Sequence, residues 1–275
     1  MANLTRTIRT MPAGAFIGLI IVIGYILVAA FASLIAPHGE AEIVGAQFEP
    51  WSAVYPLGTD ALGRDMFSRL VWGARNTVGI AMVTTVLAFS LGAVTGLLAA
   101  ALGGWFDLAL SRLIDVMMAV PPLILTLLAL SAVGPGIVNL ILIVAILDAT
   151  RVFRLARATA ANVMVMDYVE AAKLRGDGTA WIILREVLPN ITAPLVAEFG
   201  LRFCFVFLTI SALAFLGLGL PPPMADWGAM VRDNAALITF GDITPLLPAA
   251  CIAILTVAIN FVVDWMLHRA SGLKD

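Results

Sequence analysis

Charged side chains within long apolar stretches are the first places where this sequence could do chemistry. Glu198 and Arg202 stand four residues apart in one such stretch, so a helix places them on the same face and they can form an ion pair. Ionisable groups are costly inside a membrane and often mark a solute pathway. Asn139 is a further polar candidate, although an amide also bonds to neighbouring helices. We expect these three residues to act either as pathway groups or as structural contacts.

The remaining polar residues give no basis for catalysis, metal binding or a cofactor. A phosphate-binding P-loop requires Gly-Lys-Ser/Thr, and neither Lys173 nor Lys274 follows a glycine. His38 and His268 stand alone, and the two cysteines have no CxxC spacing. The motifs HExxH and GxSxG do not occur. We therefore expect a non-enzymatic chain without catalytic residues or cofactors, and any ATP chemistry must reside in a partner.

The composition places the chain in a membrane. Of its 275 residues, 61% are hydrophobic and 12% are charged, and the mean hydropathy is +1.03. Soluble domains carry about 25% charged residues and about half apolar ones. No compact fold of this size can bury so much apolar surface, so much of it must face lipid. No basic block indicates a nucleic-acid partner.

Charge-poor stretches of about 20 residues predict the membrane-spanning helices. Five such stretches lie within residues 10–39, 76–106, 116–147, 203–225 and 243–263. The third contains Gly134-Pro135-Gly136, which is strong turn chemistry, so we divide it into helices at about Leu110–Val133 and Ile137–Phe153. The first is too long for the apolar part of a signal peptide and is expected to remain as a helix. The sequence thus predicts an all-α membrane protein with six spans.

The distribution of Lys and Arg gives the orientation. With six spans and the N-terminus inside, eleven of the sixteen cationic residues are cytoplasmic and four are external. A five-span chain with its N-terminus outside also places eleven inside, so the charges alone do not separate the two topologies. The length of the third stretch and its Gly-Pro-Gly turn favour six spans.

Two external segments connect the predicted spans. In residues 37–75, Thr59 or Asp60 can cap a helix that carries Leu62, Met66, Leu70 and Gly73 on one face, lying along the membrane surface. This helix is either a structural anchor or a solute contact. In residues 221–245, three successive prolines force the chain out of the membrane, and Trp227 is expected at the interface.

The largest internal segment, residues 151–190, predicts a helical hairpin. Tyr168–Arg175 is helix-favouring, and Gly176 can end that helix in a left-handed conformation. A second helical run, Ala180–Leu188, is expected to stop at Pro189. The small residues Ala171 and Ala172 would allow a partner to approach closely.

Several motifs in the right order resemble one known family. Residues 56–69 read Pro-Leu-Gly-Thr-Asp-x-Leu-Gly-Arg-Asp-x-x-Ser-Arg, residues 168–172 read Tyr-Val-Glu-Ala-Ala, and residues 187–190 read Val-Leu-Pro-Asn. Phe-Leu-Gly-Leu-Gly at 215–219 is followed by Pro222-Pro223 and Trp227-Gly228. Together they resemble the second permease subunit of dipeptide/oligopeptide/nickel ABC importers, over about residues 10 to 265.

This resemblance implies a type I ABC importer permease fold in the bacterial inner membrane, with both termini cytoplasmic. It implies an N-terminal part, 1–74, and a permease domain, 75–268, whose coupling loop is 151–190. The implied partners are a second permease subunit, two cytoplasmic ATPases, a periplasmic solute-binding protein and membrane lipid. The solutes that it implies are, first, peptides and, after them, nickel chelates, glutathione-like compounds and opine-like compounds.

The resemblance also implies roles for two groups of residues. The first would contact the ATPase through the family's EAA loop and comprises Glu170, Ala171, Ala172, Lys173, Arg175, Gly176, Leu188 and Pro189. The second forms the external signature and comprises Gly58, Asp60, Gly63, Arg64, Asp65 and Arg69.

Other classes of membrane protein fit the sequence less well. A secondary transporter would show an inverted repeat with paired broken helices, and none is visible. An intramembrane enzyme would need a nucleophile–base pair or a metal cluster within its spans. A simple channel would leave the large internal segment unexplained.

Overall fold

The computed structural model describes residues 11–271, with side chains described as far as His268. Arg6, Arg9 and Lys274, which entered the charge count, lie outside the described residues, as does the side chain of Arg269. Within this range the chain forms twelve α-helices: α1 (Ala13–Ala30), α2 (Ala32–Ile35), α3 (Met66–Gly73), α4 (Gly79–Leu102), α5 (Gly104–Met118), α6 (Pro122–Val133), α7 (Ile137–Met164), α8 (Asp167–Leu174), α9 (Thr179–Trp181), α10 (Leu188–Phe215), α11 (Trp227–Asn234) and α12 (Leu246–Ser271).

Two π-helical turns fuse shorter helices into long ones. Ala74–Val78 joins α3 to α4, and Ile182–Val187 joins α9 to α10. Each fused helix has 37 residues and is therefore about 55 Å long, longer than the ~30 Å hydrocarbon core.

Four helices in the described part of the chain are long and apolar enough to cross a membrane. They are α1, the two fused helices and Leu246–His268 of α12, and the bent pair α5–α6 makes a fifth if it counts as one span. The 28-residue α7 is long enough, but charged residues begin at Asp148 and recur to Arg157. The number of six spans therefore stays a prediction.

The third apolar stretch breaks at the prolines as well as at the glycines. Leu110–Val133 was predicted as one helix, and this is wrong because α5 ends at Met118 and α6 begins at Pro122, with an 89° bend between them. Proline cannot continue the hydrogen-bond ladder but is favourable at the start of a helix. The predicted break at Gly134 is confirmed. The next helix, α7, runs past the predicted end at Phe153 to Met164.

The helix that precedes the second span begins later than predicted. Asp65, not Thr59 or Asp60, is its N-cap, and its carboxylate accepts a hydrogen bond from the Ser68 backbone N–H at 2.9 Å. Leu62 therefore lies before the helix. Because α3 continues through the π-turn into α4, it is the N-terminal end of a long helix and not a separate surface helix.

The expected helix stop at Pro189 is wrong. Pro189 lies in the first turn of α10, and the helix continues to Phe215. The preceding π-turn changes the hydrogen-bond register at this point, so the missing N–H of proline falls where the ladder is already interrupted.

Trp227 is a core residue and not an interfacial one, so this prediction is also wrong. Its side chain is buried, and its ring packs edge-on against Tyr25 and Phe207 at 5.7 and 6.3 Å. The indole N–H donates to the Leu70 carbonyl at 2.9 Å. Because both its ring and its donor find partners within the protein, the side chain has no need of the membrane interface.

The most extensive helix packing joins α4 to α7. A Cβ added at Gly92 would lie 2.4 Å from the Ala149 carbonyl oxygen, and one added at Gly96 would lie 2.7 Å from the Phe153 carbonyl oxygen. The facing Ala156 is fully buried. Small residues spaced four apart let two backbones touch, which is how helices gain dispersion energy within a membrane.

We predict that Gly92→Val separates α4 from α7 and destabilises the chain by about 3 kcal/mol, the upper end for overpacking, because the backbone carbonyl cannot move aside. Gly79→Val is the matched control, since a Cβ there meets no atom within 4 Å. Thermal unfolding in mild detergent measures both. Equal melting temperatures for the two variants would contradict the packing argument.

Candidate functional site

Helix α8 of the internal hairpin is seated on the bundle by one apolar face. Val169 and Ala172, three residues apart, are both fully buried. They pack in a cluster that also contains Leu97 of α4, Ala160 of α7 and Val187 of the π-turn before α10. Three long helices therefore meet beneath α8.

The end of α8 is fixed by a Schellman motif. Gly176 has φ +84°, its N–H donates to the Lys173 carbonyl at 3.0 Å, and the Asp177 N–H donates to the Ala172 carbonyl at 3.1 Å. The predicted left-handed stop at Gly176 is confirmed. A residue with a Cβ is strained in this conformation by about 1–2 kcal/mol.

The opposite face of α8 is exposed. Glu170, Ala171 and Lys173 all reach solvent, and Leu174 is 83% exposed. Arg175 is also exposed and pairs with Asp177 at 2.7 Å. These side chains therefore face away from the bundle.

Other residues of the predicted contact lie differently. Ala172 is beneath the helix in the cluster described above, so it does not reach the exposed face. Leu188 is half-buried and Pro189 is exposed, at the point where α10 leaves the hairpin. The exposed Trp181 lies beside Arg175, whose guanidinium carbon is 5.8 Å from the centre of its ring.

Glu198 and Arg202 form the ion pair that their spacing predicted. Arg202 Nε lies 2.7 Å from Glu198 Oε1. Asp148 of α7 completes the group, with its Oδ1 3.4 Å from Arg202 Nη1, and Arg151 approaches the same oxygen at 3.9 Å. We call Asp148, Arg151, Glu198 and Arg202 the ionic cluster.

The ionic cluster is largely withdrawn from solvent. The side chains of Asp148 and Arg202 are 9% and 8% exposed. The guanidinium of Arg202 stacks over the Phe205 ring at 4.7 Å. Two acids and two bases balance in charge, which is the condition under which ions can be buried at all.

Asn139 is not part of this cluster. It lies nine residues before Asp148 on α7, which is about 13 Å along the helix. Its amide donates to the Gly134 carbonyl at 3.0 Å and so secures the turn between α6 and α7.

The external signature folds into a buried polar network. Asp60 pairs with Arg64 at 2.7 Å and with Arg69 at 3.2 Å, and all three are buried. Arg69 also donates to the carbonyls of Glu40 and Pro223, at 2.8 and 3.4 Å. These contacts tie the two external segments together.

The glycines of the signature permit this network. Gly58 and Gly63 have φ values of +71° and +73°. A Cβ at Gly63 would lie 2.2 Å from the Gly45 carbonyl oxygen. Asp65 serves as the cap of α3 and also accepts from the Ser68 hydroxyl at 2.5 Å.

Sequence reasoning missed several partners in these networks. The Glu40 carboxylate accepts from the Asn76 amide at 2.7 Å and from the Ala225 N–H at 2.9 Å, which are 36 and 185 residues away. Asp226, which caps α11, is also buried, and this burial raises its pKa above the ordinary value. An Asp followed by a helical run could have indicated that cap, but nothing local signals the role of Glu40.

Between residues 11 and 268 no group of three or more His, Cys, Asp or Glu side chains is placed to hold a metal ion.

The long apolar helices define a multi-pass membrane protein. The chain belongs to the family described as the binding-protein-dependent transport system inner membrane component, whose profile matches residues 92–270. It is therefore a permease subunit of an ABC transporter and a multi-pass protein of the inner membrane.

Full-length relatives agree with this assignment. The chain is 33% identical to the dipeptide transport system permease protein DppC of Alkalihalophilus pseudofirmus, over 95% of this chain and 84% of that protein. It is 34% identical to the di/tripeptide permease DppC of Pseudomonas aeruginosa, over 95% and 86%. It is 36% identical to the peptide permease SapC of Escherichia coli O6:H1, over 92% and 88%.

A solved structure shares the fold. An amino acid ABC transporter crystallised with histidines aligns with a TM-score of 0.51, covering 74% of this chain and 94% of that one, at 19% identity. The likeness at this identity concerns the fold alone.

We predict that Arg202→Met destabilises the chain by about 3 kcal/mol, because the buried Asp148 and Glu198 carboxylates then keep only the partly exposed Arg151 as a counter-charge, 3.9 Å from Asp148. Adding Asp148→Asn and Glu198→Gln to that variant should recover much of the loss, since the one charge left in the cluster, Arg151, is 35% exposed and can be hydrated. Thermal unfolding in detergent measures this, with the exposed Arg185→Met as control. Failure of the triple variant to recover stability would show that Arg202 acts through packing alone.

Proposed function

We propose that the chain is one of two pathway-forming subunits of an ATP-driven importer that moves peptides or related small solutes from periplasm to cytoplasm. A different permease would be the second subunit, and two cytoplasmic ATPases and a periplasmic binding protein would complete the assembly. The dipeptide, di/tripeptide and peptide transport named for the three relatives supports this class of solute.

The observation that carries the proposal is the seating of α8. A helix of eight residues has little stability of its own. The apolar face of α8 nevertheless packs against three long helices, while its other face is exposed. A partner that binds the exposed face of such a helix and moves it would also move the three helices beneath it. In our proposal the partner is an ATPase, and α8 is the coupling helix.

The exposed residues supply the chemistry of this contact. Glu170, Lys173 and Arg175 offer charges of both signs, which favour a defined docking orientation. Ala171 is small and exposed, so a partner surface can approach the helix backbone there. Gly176 sets the direction of the chain as it leaves α8, and Leu188 with Pro189 would form the edge of the contact.

The six-span topology is part of the proposal. The bent pair α5–α6 would form one span, and α7, at about 42 Å, would form another despite its charged second half. An even number places both termini on one side. The hairpin carries six Lys and Arg residues within 151–190, which favours the cytoplasm for that side.

We assign different roles to the two remaining groups of candidate residues. The external signature would hold the outer segments together rather than bind solute, since Asp60 pairs with Arg64 and Arg69, and Arg69 also donates to a backbone carbonyl. Arg202 would hold α10 against α7 through Asp148, and Glu198 would pair with Arg202 on the same helix. The division between 1–74 and 75–268 falls inside the continuous helix Met66–Leu102, so we retain it as a division of roles and not of folding units.

The coupling role predicts how variants behave when the tagged chain is purified from native membranes in mild detergent. The unaltered chain should retain a second permease and P-loop ATPases. Glu170→Lys reverses a charge on the docking face, so it should lose the ATPases and solute uptake while keeping the second permease. Glu186→Lys, a charge reversal on the same hairpin outside α8, is the control.

The matched glycines of the hairpin give a second test of coupling. Gly176→Val strains a residue at φ +84°, whereas Gly178→Val places the same side chain at φ −70°, and a Cβ meets no atom within 4 Å at either position. Gly176→Val should reduce uptake and solute-stimulated ATPase activity, and Gly178→Val should not. Normal uptake by both Gly176→Val and Glu170→Lys would remove the coupling assignment.

We predict the sidedness of two turns. A reporter inserted after Gly136 should be external, because α6 and α7 would meet there, and one after Gly178 should be cytoplasmic. Accessibility to a membrane-impermeant thiol reagent at introduced cysteines measures the same property. An internal reporter after Gly136 would exclude the six-span topology while leaving membership of the permease family intact.

A further inference from the structure

An apolar groove opens between α1, the α3–α4 junction and α12. Its volume is about 450 Å³, and Gly24, Tyr25, Val71, Ala74, Trp227 and Cys251 are among the residues that line it. For scale, an apolar protein cavity of about 150 Å³ accepts a benzene molecule. The space is therefore large enough for a long hydrocarbon chain rather than a few waters.

The lining offers almost nothing polar to an occupant. The Tyr25 hydroxyl donates to the Cys251 carbonyl at 3.3 Å, and the Trp227 indole N–H donates to the Leu70 carbonyl at 2.9 Å. Both donors are thus engaged within the protein. A peptide or another polar solute would lose its hydration here without gaining hydrogen bonds, so the groove suits an apolar occupant.

The groove opens beside an apolar helix whose surface is largely exposed. One wall is α1, whose mean hydropathy is 2.6 and of which only 11% of the residues are buried within this chain. Gly24 leaves the groove open, because a Cβ added there would meet no atom within 4 Å. Hydrocarbon can therefore enter the groove sideways from the bilayer.

A cationic residue adjoins the groove in the chain. Arg75 directly follows Ala74 in the chain and comes one turn after Val71, and its guanidinium carbon lies 5.6 Å from the centre of the Trp72 ring. Arg75 is exposed, and within residues 11–268 it forms no salt bridge with a carboxylate. The Trp72 indole N–H donates to the His38 carbonyl at 3.1 Å, so this pair marks the boundary with the external segment.

We propose that the groove is a specific phospholipid site, with one acyl chain between α1 and α12 and the lipid phosphate at Arg75. An amphiphile matches both the apolar groove and an exposed guanidinium that directly follows the groove residue Ala74 in the chain. In the orientation proposed above, this lipid belongs to the outer leaflet. The bound chain would fill the space between α1 and the rest of the bundle.

The experiment uses the purified transporter complex in nanodiscs that contain phosphatidylethanolamine and a minor fraction of phosphatidylglycerol with a photoreactive acyl chain. After illumination, mass spectrometry maps the labelled peptides. We expect enriched labelling of the α1 and α3–α4 segments that line the groove, and loss of that enrichment in Gly24→Leu, whose side chain fills the space. Gly79→Leu, another glycine with open space around its Cβ, should retain it.

Two further measurements can overturn the proposal. A photoreactive amino acid at position 24 should form adducts with phospholipid, whereas adducts with another subunit would show that protein covers the groove. Native mass spectrometry of Arg75→Gln should show loss of the retained phospholipid. Unchanged retention would reject the phosphate contact, and groove labelling no stronger than that of other lipid-facing segments would reject the site altogether.

Discussion

The contact between the backbones of α4 and α7 is the constraint on which the rest of the architecture depends. Hydrocarbon surrounds apolar side chains as readily as other side chains do, so burial of apolar area drives helix association only weakly within a membrane. Close approach at Gly92 and Gly96 replaces that force with dense dispersion contacts. The contact fixes α7, and α7 carries both Asp148 of the ionic cluster and, at its end, the helix α8.

Outside the apolar region, hydrogen bonds and ion pairs hold the structure together. The first external segment lacks regular structure over residues 36–65 apart from isolated bridges, so turn hydrogen bonds and side chains together satisfy its backbone groups. Arg69 and Glu40 link this segment to the one after α10, since Arg69 donates to the Glu40 and Pro223 carbonyls and the Glu40 carboxylate accepts from the Ala225 N–H. Electrostatic contacts of this kind are effective here because the network excludes water from Asp60 and Arg69.

The sequence predicted features that depend on neighbours along the chain. The end of α8 at Gly176, the turn at Gly134 and the pairing of Glu198 with Arg202 all rest on signals within a few residues. The sequence did not predict Asp148 as the third member of the ionic cluster, because it lies 54 residues from Arg202. The predicted helix stop at Pro189 was wrong for a related reason. The π-turn that accommodates this proline is set by packing on the bundle rather than by local propensity.

The attachment of α7 to α10 at two levels has a mechanical consequence. One attachment is the apolar cluster beneath α8, which includes Ala160, and the other is the ionic cluster at Asp148, about 18 Å away along α7. A single contact would allow one helix to pivot on the other, whereas two contacts resist rotation. Buried ion pairs add little net stability, but their geometry is demanding, so they favour one register between helices. A force applied at α8 would therefore displace α4, α7 and α10 together as one unit. Relative movement would then occur where these three helices contact the other helices.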